Sequence, residues 1–198
     1  MANPTKIAYS GIAISGKIGA GKTTVARLLS QQFNIPVFSL AYLLKEEVAS
    51  AISHVTGLSR ARILTVEKET WRPILQAWGQ CMKQRYGDDY WVRQLFEAAP
   101  RPFICDDVRF PVELDRFQAE NFLTVRLGVS PDNQRARVPG IQDKAHTDAS
   151  ETALDHQGDW GMYIHTDDRA AAFVAELIAA KALAGGPPEI RNGAPWRH

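Results

Sequence analysis

The sequence is poor in cysteine: Cys81 and Cys105 are the two present among 198 residues. Neither stands in a CxxC-type spacing, so a zinc ribbon or dithiol redox motif is excluded. Two buried free thiols in a reduced compartment are expected, Cys105 in an apolar run and Cys81 in a helical pattern. Long apolar runs are missing too. None approaches the roughly 20 residues that span a bilayer. The run from Ile7 to Ile14 leads straight into a glycine-rich loop and reads as a first strand, not a signal-peptide core. A soluble, cytoplasmic protein is the expectation. Nor is there an excess of charge of one sign: 23 Lys+Arg face 22 Asp+Glu, for a formal net charge of +1. Such a balance gives no footprint for a nucleic-acid polymer or an anionic membrane surface. The five histidines are scattered, and His146, His156 and His165 fit no metal-ligand spacing. No GxSxG elbow and no Cys/His pairing are evident.

What is present is an ordinary globular composition, 45% apolar and 23% charged, in a length that suits one α/β domain. Apolar periodicity places strands at about 6–15, 35–40, 103–106, 122–129 and 163–165. Helices follow the first loop, run from about Tyr42, start at Pro73, cover about 91–99 and 112–120, and follow Thr166 as a cap. The stripe Leu75, Trp78, Met82 and Tyr86 reads as one helix face. In the last helix, Phe173, Val174, Leu177 and Ile178 read as inward. Strands alternating with helices imply a three-layer α/β fold, a parallel sheet with helices on both faces. The expected layout is one domain over 1–184, with a helical acceptor-binding region at about 41–100, a polar lid at about 130–150, and a Gly/Pro-rich tail over 185–198.

The most specific motif is Gly16-Lys17-Ile18-Gly19-Ala20-Gly21-Lys22-Thr23, a GxxxxGK[ST] loop between an expected strand and an expected helix. Glycines allow the backbone to curl so that several N–H groups converge on an anion, and the helix that follows adds the positive end of its dipole. Lys22 can follow the β- and γ-phosphates. The Thr23 hydroxyl can join a Mg²⁺ shell, and Thr24 extends the nucleotide-binding stretch. These residues imply ATP and Mg²⁺ as cofactors. The loop alone does not choose among kinase, GTPase and motor. No Asn-Lys-x-Asp base-recognition segment is present, and the length leaves little room for a motor's transmission elements.

A small-molecule kinase also needs an acceptor pocket, cations between the two phosphates, and a lid. Asp107 and Arg109 follow the strand at 103–106, at the sheet end where ligands gather. Asp107 is a candidate for the metal shell or for orienting the acceptor, and Arg109 for gripping an anionic acceptor; a local salt bridge between them is the alternative. Arg72, read as extended before the helix that starts at Pro73, is a second anion candidate. Arg135 and Arg137 are candidate lid cations for the transferring group, or solvated loop charges. Lys45 either lines the acceptor pocket or is solvated. Trp71, Trp78 and Trp91 are each core residues or base-stacking surfaces.

Together these segments resemble the deoxynucleoside monophosphate kinases of bacteriophages. The resemblance is carried by the loop Gly16 to Thr23, by Phe38-Ser39-Leu40-Ala41 with Leu44-Lys45, and by Arg72-Pro73-Ile74-Leu75-Gln76 with Gly79. It continues through Asp89-Tyr90-Trp91-Val92, Asp107-Val108-Arg109-Phe110-Pro111 with Glu113, and Ser150-Glu151-Thr152-Ala153-Leu154. It implies a P-loop nucleotide-kinase fold and Mg²⁺-dependent transfer from ATP to a deoxynucleoside 5′-monophosphate, in a host cytoplasm if the chain is phage-encoded. On that reading Arg72 and Arg109 hold the acceptor phosphate, Gln76 faces the base, Lys45, Trp71 and Glu113 belong to the same pocket, and Arg135 and Arg137 serve the lid. The sequence departs from the family pattern at Leu40 and at Asp148, so Ser150-Glu151 receives no catalytic part and is read as a helix start. The alternatives are a kinase of another small phosphorylated or hydroxyl substrate, similar to phosphomevalonate, and a non-catalytic nucleotide-binding module. The helices and tryptophans between 57 and 99 exceed the needs of a bare nucleotide fold, which makes a homodimer a candidate.

Overall fold

Gly11-Ile-Ala-Ile-Ser-Gly16 is a run of small and branched residues buried on both sides, the pattern of a strand inside a parallel sheet. This strand, β1 (Gly11–Gly16), lies at the centre of a five-stranded sheet. Its companions are β2 (Val37–Phe38), β3 (Phe103–Val108), β4 (Phe122–Gly128) and β5 (Met162–His165), in the order β2-β3-β1-β4-β5. Every neighbouring pair is parallel. The computed structural model describes residues 7–140 and 149–185. By internal contacts the chain divides into two units, Met1–Phe38 with Pro100–His198, and Ser39–Ala99.

The first unit holds the sheet. Its helices are α1 (Lys22–Phe33), then α6 (Pro111–Ala119), α7 (Pro131–Arg137), α8 (Ala149–Thr152) and α9 (Ala171–Ala184). Val25, Ala26, Leu29 and Phe33 of α1 pack with Ile12 and Ile14 of β1, Val125 and Leu127 of β4, and Val174 and Ile178 of α9 in one core. Phe103, Phe117 and Phe122 form a cluster of edge-on and tilted rings, an arrangement that adds about 0.5–1.5 kcal/mol per pair beyond area burial. The chain leaves β1 toward β3 and β2, then crosses to β4 on the other side. The C-terminal ends of β1 and β3 therefore flank the switch point where open α/β sheets place ligands.

The second unit is helical: α2 (Leu40–Thr56), α3 (Arg60–Leu64), α4 (Lys68–Tyr86) and α5 (Tyr90–Ala98). Val48, Ala49, Ile52 and Ile63 form its core, with Leu44, Trp71 and Leu75 against them. At Gly79 a Cβ would lie 3.2 Å from Leu44 Cδ2, and the Gly79 carbonyl accepts the buried Trp91 indole N–H at 3.2 Å.

Several local expectations change. The helix expected to start at Pro73 begins five residues earlier and runs through it. An interior proline loses a backbone hydrogen bond at about 3 kcal/mol. Here Trp71, packed on the α2–α3 core, supports the turn before it. Arg72 is consequently helical, not extended. The stripe on α4 is not a core face: Trp78 is 41% and Tyr86 53% exposed. Cys105 is buried but Cys81 is exposed. Residues 131–137, read as lid loop, form α7, because Ser130 caps it by accepting from Asn133 N–H and Pro131 fits its first turn. Thr166 does not cap the last helix, which starts at Ala171; its hydroxyl instead donates to the Gly128 carbonyl at 3.0 Å. Phe173 is exposed, while Val174 and Ile178 are inward. The lid residues 141–148 and the tail from 186 onward lie outside the described residues. Among the described residues, no helix is long and apolar enough to cross a membrane.

Candidate active site

The loop after β1 takes its form from glycine. Gly16 has φ +156°, and a Cβ there would fall 2.6 Å from the Leu127 carbonyl oxygen, so the strand can leave the sheet at this point only without a side chain. Gly21, at φ +85° and ψ 13°, turns the chain into α1. Lys22 opens that helix, and its ammonium folds back to donate to the carbonyls of Gly16 and Lys17, the latter at 3.0 Å. Burial lowers the Lys22 pKa to about 8; Glu151 opposes the shift, Arg109 and Arg126 add to it, and Asp106 opposes it. The lysine thus rests in a site that disfavours its charge until an anion arrives.

Thr23 is answered from β3. Its hydroxyl donates to Asp106 Oδ2 at 2.9 Å. The sequence reading gave this place to Asp107. The structure puts Asp107 on the neighbouring position of the strand, where its Oδ1 lies 3.5 Å from the Cys105 thiol. Successive residues of a strand point to opposite faces, and the β1–β3 register shifts between Ala13 and Ser15. From Ala13 to Ser15 β1 advances two residues while β3 advances three, from Cys105 to Val108, so the irregularity falls at the two aspartates. A hydroxyl and a carboxylate oxygen side by side form a hard-oxygen pair of the kind that suits Mg²⁺, which takes one or two protein ligands plus phosphate and water.

Arg109 follows β3. Its backbone N–H and that of Phe110 donate to Glu113 Oε2 at 2.8 and 3.1 Å. Glu113, expected in a substrate pocket, is 5% exposed and caps the start of α6 with its carboxylate, as acidic residues do in a first helical turn. It fixes the backbone from which Arg109 projects. The Arg109 guanidinium reaches Glu151 Oε1 at 3.4 Å.

Further groups brace the loop, and among them Gln134, Arg126 and Asp155 carry no motif that marks them in the sequence. Gln134 Nε2 donates to the Ile18 carbonyl at 2.9 Å. Arg137, expected as a free lid cation, donates to the Gly19 carbonyl at 3.2 Å and to Thr166 Oγ1 at 3.0 Å. Arg135, two residues away and so on another face of α7, pairs with Asp132 at the exposed surface. Lys17 meets Asp155 Oδ2 at 2.8 Å; the other oxygen of Asp155 accepts from buried Arg126 at 2.8 Å, and Arg126 also donates to Ser15 Oγ at 2.8 Å. Burial lowers the Arg126 pKa, and Asp155 counters it.

The remaining expected residues belong to the second unit. Lys45 is half-buried on α2. On α4, Trp71 is half-buried with its indole N–H donating to Glu67 Oε2 at 3.3 Å. Arg72 and Gln76 are both exposed, one turn apart on one face. Arg72 makes a two-pronged pair with Glu69, at 2.8 and 2.6 Å, which holds its guanidinium open to water. A cleft of about 430 Å³ within this unit is lined by Glu46, Glu47 and Glu97 beside Tyr90 and Trp91. Three carboxylates oppose an anionic ligand, so this cleft is not suited to a phosphate.

No protein-family model matches the sequence, and no curated protein sequence matches it. Solved structures match by fold. The shikimate kinase from Acinetobacter baumannii, solved in complex with shikimate, aligns with TM-score 0.50 at 15% identity, covering 87% of this chain and 92% of that one. Shikimate kinases from Bacteroides thetaiotaomicron (TM-score 0.48, 17% identity, 87% and 99% covered) and Aquifex aeolicus (TM-score 0.47, 18%, 85% and 93%) align similarly. The first of these, with the all-parallel order and the loop geometry, defines the class: the chain has the P-loop kinase fold.

Proposed function

We propose that this chain is a small-molecule phosphotransferase that moves the γ-phosphoryl group of ATP to the phosphate of a deoxynucleoside 5′-monophosphate. The observation that carries the reading is the meeting of two cations at the sheet's switch point. Lys22 comes from the loop after β1 and Arg109 from the end of β3, and both lie in the field of the same carboxylate, Glu151. Two cations facing one anion supply the charge that two phosphates need. An oxygen of the acceptor phosphate attacks the γ-phosphorus, the bond to the β–γ bridging oxygen breaks, and ADP leaves. That oxygen is already ionised at neutral pH, so positioning and charge neutralisation carry the catalysis. The loop from Gly16 through Thr24 binds the triphosphate. Thr23 and Asp106, in place of Asp107, would hold a Mg²⁺ ion, whose contribution is charge neutralisation on the phosphate oxygens. Arg109 is assigned to the acceptor phosphate; for Arg72, Lys45, Trp71 and Gln76 the support is the family resemblance of their segments alone. Arg137 steadies the loop, and Arg135, on the same helix, is assigned to the transferring phosphoryl group.

The choice of a deoxynucleotide rests on the family resemblance of the segments around Arg72 and Asp107. A second reading, transfer to another small phosphorylated or hydroxyl compound, is favoured by the fold shared with a kinase that holds shikimate. Coupled ADP release separates the two. With ATP, Mg²⁺ and a panel of deoxynucleoside monophosphates, ribonucleoside monophosphates, shikimate and phosphomevalonate, acceptor-dependent release is expected with at least one deoxynucleoside monophosphate. Release with shikimate or phosphomevalonate alone supports the second reading. Release with none, despite ATP binding, leaves a nucleotide-binding module.

The Lys22 pKa predicts a pH dependence for donor binding. Without nucleotide the ammonium titrates near 8; a bound triphosphate restores its charge. Binding therefore takes up a proton where the empty site has lost one. ATP affinity is expected to be flat below about pH 7 and to fall by up to about tenfold per unit above pH 8. Calorimetry in buffers of different ionisation heat should show proton uptake near zero at pH 6.5 and near one at pH 9. Equal uptake at both pH values would remove Lys22 as the titrating group.

A further inference from the structure

The transfer chemistry leaves one carboxylate at the loop without a task. Glu151 projects from the four-residue α8, and its Oε2 accepts from the Ile18 backbone N–H at 2.7 Å. Its Oε1 lies 3.4 Å from the Arg109 guanidinium, and its side chain is 12% exposed. It is also the foremost charge that favours the ammonium of Lys22. A loop amide, the Lys22 field and the Arg109 guanidinium are the groups that phosphates require, and here they are shared by one side-chain anion. Four residues further, Asp155 fastens the same stretch of chain to Lys17 and Arg126, so the carboxylate is delivered from an anchored segment. The contact with Arg109 alone would count for little, since that side chain is 42% exposed. The charge-assisted bond to the Ile18 amide gives the arrangement its weight.

We propose that Glu151 is an internal phosphate mimic that couples the donor and acceptor subsites, docking on the Ile18 amide and Arg109 in the ligand-free protein and withdrawing when phosphate takes either place. This rests on the reading of the loop as the donor site. A phosphate at the loop removes the carboxylate's hold on Ile18, and a phosphate at Arg109 removes the other hold, so each ligand eases the entry of its partner. Thermodynamic linkage makes that effect equal in both directions. A ligand that binds only the undocked protein has its affinity reduced by the undocked fraction; a carboxylate docked nine times in ten costs it about tenfold.

The test is calorimetric titration of the full chain with AMP-PNP and Mg²⁺, using wild type, Glu151→Gln and Glu151→Asp. The glutamine removes the charge. The aspartate keeps it but is one methylene too short to reach Ile18. Both variants are expected to bind AMP-PNP about three- to tenfold tighter than wild type. Tightening in Glu151→Gln with wild-type affinity in Glu151→Asp would reveal a mere field effect and overturn the docking. Unchanged or weaker binding in both variants would overturn it as well. If Glu151→Gln fails to fold by circular dichroism, Glu151→Asp alone decides between the same outcomes. A wild-type chain that takes up no AMP-PNP would overturn the donor reading itself, and this inference with it.

Discussion

Replacing Lys22 with alanine is expected to lower phosphoryl transfer by about three orders of magnitude or more, because a half-buried cation aimed at developing phosphate charge is worth at least as much as a single oxyanion donor. The ammonium is held at the mouth of the loop by the carbonyls of Gly16 and Lys17, within reach of whatever the loop's amides bind. The variant should remain folded. With the Lys22 pKa lowered to about 8 from an ordinary 10.5, the folded state binds protons less readily than the unfolded chain between those values. The resulting penalty on stability is fully present below about pH 8 and is relieved as the pH rises toward 10.5. Removing the amine at neutral pH removes that penalty, so thermal melting of Lys22→Ala should match or exceed wild type. A kcat within tenfold of wild type would contradict the mechanism, and an unfolded variant would contradict the placement of the lysine.

Asp106→Asn should carry the second-largest effect, a fall of about a hundredfold in kcat/KM with a rise in the Mg²⁺ concentration needed for half-maximal rate. The asparagine side-chain oxygen can still accept the Thr23 hydroxyl, which Asp106 Oδ2 accepts at 2.9 Å, so the loss isolates the charge. Asp107→Asn is the comparison. Its carboxylate lies beside the Cys105 thiol, and the same substitution there should leave the Mg²⁺ requirement unchanged. The reverse result, with Asp107 setting the Mg²⁺ dependence, would restore the assignment read from the sequence.

That pair of adjacent aspartates shows where sequence reasoning stops. The parallel sheet and its flanking helices were legible because short runs rich in apolar residues, such as β1, alternate with helical periodicity, and the loop because GxxxxGKT has one physical use between a strand and a helix. Which of two neighbouring carboxylates meets Thr23 is a matter of side-chain direction on β3, and the pairing of β1 with β3 is irregular at that place, which no local sequence pattern announces. Arg137 read as a lid cation because its neighbourhood lacks apolar periodicity. It becomes a brace because the short α7 turns it toward the Gly19 carbonyl and Thr166. Glu113 looked like a pocket residue through its family motif, yet its carboxylate is needed at the start of α6. Pro73 marked a helix start by its own preference, and tertiary packing of Trp71 overrode it. Glu151 and Asp155 meet Ile18 and Lys17 of the loop, and Arg126 meets Ser15 just before it, across more than a hundred residues of sequence, a distance over which periodicity carries no information.

In the proposed reaction the loop's triphosphate passes a phosphoryl group to a second, anionic substrate. Phosphorus NMR of the full chain with ATP, Mg²⁺ and the deoxynucleoside monophosphate that releases most ADP follows the transferred group itself. The γ-phosphate signal of ATP is expected to be lost as the β-phosphate doublet of a new deoxynucleoside diphosphate grows at the same rate, with inorganic phosphate nearly constant. Loss of the γ-phosphate into inorganic phosphate alone, or no loss of ATP at all, would contradict it.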